Sequence, residues 1–161
     1  MGLDMYLRKK AYVKNWDHMA PKERHTVTVT GPCAAGIDPT RISSITEEVA
    51  YWRKANAIHQ WFVTHCQDGV DDCREAYVSR DQVVKLRDLC AMLLDKREAD
   101  PVAADALAAE ALPPQAGFFF GSTDLDEYYW EDVRTTRDVL TAAAAEPEGH
   151  GLFDFYYESS W

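Results

Sequence analysis

No apolar run in the 161 residues approaches the ~18–20 that a membrane-spanning helix needs, so no span is expected. Cysteine is scarce, limited to Cys33, Cys66, Cys73 and Cys90, which excludes a disulfide-built mini-protein. Glycine and proline number 8 and 7, too few for a collagen-like chain. Positive charge is in short supply: 17 Lys and Arg against 27 Asp and Glu give a net charge of −10. A chain this acidic repels phosphates at long range, so direct nucleic-acid binding is not expected. No Gly-x-Ser-x-Gly, His-Glu-x-x-His or Walker sequence occurs, and with them go the commonest hydrolase, metalloprotease and nucleotide-phosphate signatures. His65, Cys66 and Cys73 lack the spacing of a zinc knuckle, and Asp68, Asp71 and Asp72 lack that of a calcium-binding loop. No metal and no cofactor is therefore expected.

What is present suffices for one folded domain, expected over residues 1–161. Hydrophobic residues make up 47% and aromatics 12%, enough apolar surface for a core. The charge is unevenly placed. Residues 1–30 hold six bases and three acids, and the remainder holds eleven bases and twenty-four acids. The start, Met1 to Met5, has no apolar stretch of the secretory kind and meets charge at Asp4. Tyr6 and Leu7 stand where myristoylation favours Ser or Thr. A cytoplasmic protein with reduced thiols is the expectation, the host cytoplasm if the source is a phage.

Periodicity orders the elements. Leu3, Met5 and Leu7 alternate with Asp4 and Tyr6 as in a half-buried strand running towards Val13. His25 to Thr30 is β-branched and ends at Gly31-Pro32, which predicts a second strand. Thr46, followed by Glu47 and Glu48, predicts a helix to about Cys66. Ser79 and Gln82 form a capping-box signature for a helix to about Lys96. Pro101 opens an Ala-rich helix that stops at Pro113-Pro114. Gly117 to Gly121 encloses three phenylalanines in a compact turn, and Ser122 or Thr123 then caps a last helix to about Ala145. Beyond Pro147 and Gly149, Phe153, Phe155 and Tyr157 alternate as a final strand. This order predicts an α+β fold: a small antiparallel sheet built from both chain ends, packed by about four helices around a central aromatic-rich helix.

Two clusters are candidate sites. Trp52, Arg53, Asn56, His59 and Trp61 lie in the densest aromatic segment. On one helix they would form either buried ties within the core or a pocket wall for a small, nucleotide-like ligand, with aromatic faces for stacking. Asp124, Asp126, Glu127, Glu131 and Asp132 form an acidic face, either a solvated surface or one that meets a basic partner. His59 as a general base would need a carboxylate or Ser within hydrogen-bond reach, which no spacing reveals.

Five segments together resemble a family of small proteins encoded by bacteriophages and prophages. They are Met1 to Tyr6, Val49 to His59, Gln67 to Cys73, Gly117 to Thr123 and Phe153 to Trp161. Some members of that family carry the name phosphoglycerate kinase, but this chain is far too short for the two-lobed enzyme and lacks its phosphate-binding apparatus. The resemblance implies a mobile-element origin and an accessory, host-facing role. The first expectation is a non-enzymatic protein that binds a basic surface of a host protein, as an anti-CRISPR-like inhibitor of antiviral defence would. The alternative is a small-molecule or nucleotide-binding sponge or sensor, with its pocket around residues 51–62.

Overall fold

The computed structural model describes residues 2–147 and 152–161; the break expected at Gly149 lies outside them. The fold is α+β. Strands β1 (Asp4–Tyr12), β2 (Ser44–Arg53), β3 (Ala76–Val78) and β4 (Asp154–Ser160) form one sheet in the order β2-β1-β4-β3. Every neighbouring pair is antiparallel. The two chain ends therefore meet in the middle of the sheet, as their alternating patterns predict. Helices α1 (Asn56–Cys66), α2 (Arg80–Ala99), α3 (Pro101–Ala111) and α4 (Glu127–Ala144) complete the fold.

The period-two pattern decides which face is covered. Met5 and Leu7 of β1, Trp52 of β2, and Phe155 and Tyr157 of β4 are buried. They meet Ile58, Trp61 and Phe62 of α1, and the core continues through Leu86 and Leu93 of α2 to Trp130 and Leu140 of α4. Lys9 shares the inward register, and Glu47 and Glu146 each hold its ammonium at 2.9 Å. The opposite face mixes tyrosine with paired charge. Tyr6 lies beside Tyr51 with centroids 5.3 Å apart. Arg8 sits over Tyr6 and Lys10 over Tyr156, at 4.8 and 4.7 Å.

Local signals were strongest in the helical half. Ser79 and Gln82 form the predicted capping box, with both reciprocal bonds in place. Pro101 begins α3, and Asp100 ahead of it accepts a bond from Ala103 N. Four expectations need correction. Residues 46–53 are strand, not helix: β2 pairs along β1 with Arg8 opposite Glu48 and Lys9 opposite Glu47. Of the two glutamates that look like a helical first turn, Glu47 instead pairs with Lys9 across the ladder, Glu48 only stands opposite Arg8, whose guanidinium pairs with Glu158, and the helix begins only at Asn56. The segment His25–Thr30 is not a strand, because none of its residues joins a ladder. The strand β3 was missed, having only three residues. Asp126, not Ser122 or Thr123, caps α4 by accepting from Tyr129 N at 3.1 Å. Ser122 is engaged in a turn of its own with Asp124.

Candidate functional site

Where β2 gives way to α1, the chain runs beside the start of α4, and a cleft of about 400 Å³ lies between them. Its lining comes from residues 53–58, from Gly121, Ser122, Asp124 and Asp126, and from Tyr128, Tyr129 and Glu131 to Val133. The two candidate clusters, some seventy positions apart in sequence, thus contribute to one cavity. Arg53 and Asn56 come from the first cluster; Asp124, Asp126, Glu131 and Asp132 come from the second.

The remaining members lie elsewhere. Trp52 is buried and donates its indole N–H to Thr136 Oγ1 at 3.0 Å. Trp61 is buried and stacks on His65 at 4.3 Å. Glu127 pairs with Arg97 at 3.2 Å. His59 is fully buried, with Nε2 2.9 Å from Asp71 Oδ2 and Nδ1 2.7 Å from the Tyr157 hydroxyl. The carboxylate that a basic His59 would require is therefore present. It is itself bridged to the Trp161 indole N–H at 3.1 Å, and Phe120 packs edge-on against the imidazole at 5.1 Å. This network ties α1 to β4 and to the loop before β3. It does not reach the cleft. Nothing in the spacing of Asp71 marked it as the partner of His59, because the loop 67–75 brings it back across the fold.

Asn56 builds the cleft floor. Its amide donates to the carbonyls of Phe120 and Ser122 at 2.9 and 2.7 Å, while its oxygen accepts from Gln115 N at 3.1 Å. The loop 115–122 is thereby latched to the start of α1, and the side chain has no donor left for a ligand. Two glycines make the loop possible. A Cβ on Gly117 would stand 2.6 Å from Phe120 Cδ2, and Gly121 has φ +85°, a left-handed backbone that glycine adopts freely.

The cleft is bipolar. At one end lie Arg53, paired with Asp4 at 3.1 Å, and Lys54, which sequence reading had not singled out. Among the described residues the Lys54 ammonium makes no ion pair or hydrogen bond, while its carbonyl accepts from Asn56 N at 2.7 Å. The first turn of α1 opens here without a side-chain cap. The other wall is acidic, and most of its carboxylates are occupied. Asp124 accepts from the Ser122 hydroxyl, Asp126 caps α4, and Glu131 pairs with Arg134. Asp132 differs: among the described residues its side chain has no hydrogen bond and no ion pair. Burial pushes its carboxyl up to about 6, and the like charges of Asp126 and Glu131 push the same way, with no base opposing them. Tyr128 stands exposed at the rim, and Tyr129 is buried with its hydroxyl donating to Leu112 O at 3.0 Å.

Among the described residues no group of three or more His, Cys, Asp or Glu is arranged to hold a metal ion, and no helix is long and apolar enough to cross a membrane. No protein-family model, curated protein or solved structure matches the chain.

Proposed function

We propose that the chain is a binding protein and that a basic side chain of a partner protein enters the cleft between α1 and α4. The observation that carries this reading is Asp132. A half-buried carboxylate among like charges is unfavourable by itself and becomes favourable when a cation arrives. The surrounding acids would steer a basic surface towards the site and reject acidic ones. In the setting implied by the family resemblance, the partner is a host protein, and a defence component with a basic groove is the first to try. Binding would sequester that groove without any reaction.

The test uses a short arginine-rich peptide as probe and an acidic peptide of equal length as control, in isothermal titrations at several salt concentrations. The arginine peptide should bind, weaken with salt, and lose at least about tenfold in affinity with Asp132→Asn, the usual scale for truncating one partner of a buried charged pair. Equal affinity for Asp132→Asn and the unaltered protein would refute the reading.

A second reading, a small ligand carrying both charges, is favoured by a separate observation. The unpaired Lys54 and the uncapped start of α1 face the same cavity as Asp132, and its volume falls in the range of small-molecule sites. Native mass spectrometry of the purified protein would decide it. A co-purifying adduct lost on Lys54→Ala supports a small ligand, and a mass equal to the bare chain opposes one.

A further inference from the structure

The sheet leaves one long edge open, and the chain carries one strand-forming segment without a strand to join. β2 is the outermost strand on its side, ten residues long. Its residues make no backbone hydrogen bond on the side away from β1 among the described residues. Thr26 to Thr30, all Thr and Val, run without any backbone–backbone hydrogen bond among the described residues. They alternate nonetheless: Val27 and Val29 are partly covered, and Thr26, Thr28 and Thr30 are exposed. The N–H of His25 donates to Lys14 O at 2.7 Å, which anchors the segment beyond the end of β1.

We infer that these two halves satisfy each other between two copies of this chain: residues 26–30 of one copy add as a strand to the open edge of β2 of the other, and reciprocally. β-Branched alternation is what an added strand needs, because its main chain supplies the bonds and its alternate side chains supply the fit. Charge selects the pairing. β2 carries Glu47 and Glu48, so two copies of β2 laid edge to edge would set acid against acid. Residues 25–30 carry no acid, so the added segment sets no like charge against these glutamates. The other open edge, β3, has only three residues and offers too short a template. The arrangement is isologous and closes after two copies, so it makes a dimer and not a fibre.

The experiment measures the mass of the full chain by sedimentation equilibrium across a wide concentration range, together with amide hydrogen exchange at both ends of that range. The expected result is a shift from 18.3 kDa towards twice that mass, with the amides of residues 26–30 and of β2 gaining protection only when concentrated. Thr28→Pro removes a donor from an exposed position of the segment and should raise the dissociation constant by about tenfold or more. A monomer at every concentration overturns the inference. So does a dimer in which amides 26–30 exchange as fast as in the monomer, whatever the behaviour of the Thr28→Pro variant.

Discussion

Replacing Asp132 by Asn should stabilise the protein at neutral pH. The ordinary carboxyl value is 3.8, and in the fold it is pushed up to about 6. The folded chain therefore holds this proton more tightly than the unfolded chain does. At pH below 3.8 the carboxyl is protonated in both states and costs nothing. As pH rises from about 4 to about 6 the unfolded state releases its proton first, and stability falls. Above pH 6 the full penalty stands. Each tenfold change in proton affinity is about 1.4 kcal/mol, so the full penalty would be about 3 kcal/mol. Asp132 retains contact with water, which screens the repulsion, and about 1–2 kcal/mol is the expected net figure. Asn keeps the shape and removes the charge. Thermal unfolding at pH 7.5 should rise by about 2–8 °C, at the few degrees per kcal/mol typical of a chain this size. The gain should vanish near pH 3.5. A destabilised Asn variant at pH 7.5, or an equal gain at both pH values, would refute the argument. Gaining stability while losing the arginine peptide would mark Asp132 as a residue kept for binding at a cost to the fold.

Other outcomes follow from the same contacts. Asn56→Ala removes three hydrogen bonds that latch the loop 115–122; urea unfolding should show a loss of about 2–4 kcal/mol, and the arginine peptide should bind more weakly because the cleft floor is released. His59→Ala should cost about 3–4 kcal/mol by leaving Asp71 and Tyr157 without their partner and opening a hole in the core. Peptide affinity at a temperature where that variant is folded should be unchanged, since His59 lies outside the cleft; a loss of affinity would return it to the site. Burial pushes the Cys66 and Cys90 thiols up to about 12, whereas Cys33 is exposed. A thiol reagent at pH 8 should therefore modify Cys33 first, Cys66 more slowly, and buried Cys90 only on unfolding.

Elements whose signal is local were legible in the sequence. The capping box at Ser79 and the proline at Pro101 carry their own geometry, and β1 and β4 carry their alternation. Residues 46–53 were misread because their partner is distant. Glu47 and Glu48 fit a helical first turn as well as they fit the bases of β1, and only the antiparallel ladder distinguishes the two. The error at His25–Thr30 runs the other way: strand propensity is real there, but no neighbouring strand among the described residues receives it. The candidate site was half legible. Acidic spacing along α4 pointed to Asp132 and its neighbours, and the aromatic segment pointed to Arg53 and Asn56. That the two would face each other depends on the turn between β2 and α1, which the helical reading of residues 46–66 erased. The same misreading placed Trp52 and His59 on one helix, whereas Trp52 belongs to the sheet and His59 to a buried network.

The central claim is that an uncompensated carboxylate waits in the cleft for a positive charge. It is tested most directly by following the Asp132 side-chain carboxyl carbon by NMR across the pH range, first in the free protein and then with saturating arginine-rich peptide. The account predicts a midpoint near 6 in the free protein and a clear drop when the peptide is bound. A midpoint near 3.8 in the free protein, or one that the peptide leaves unmoved, would contradict it.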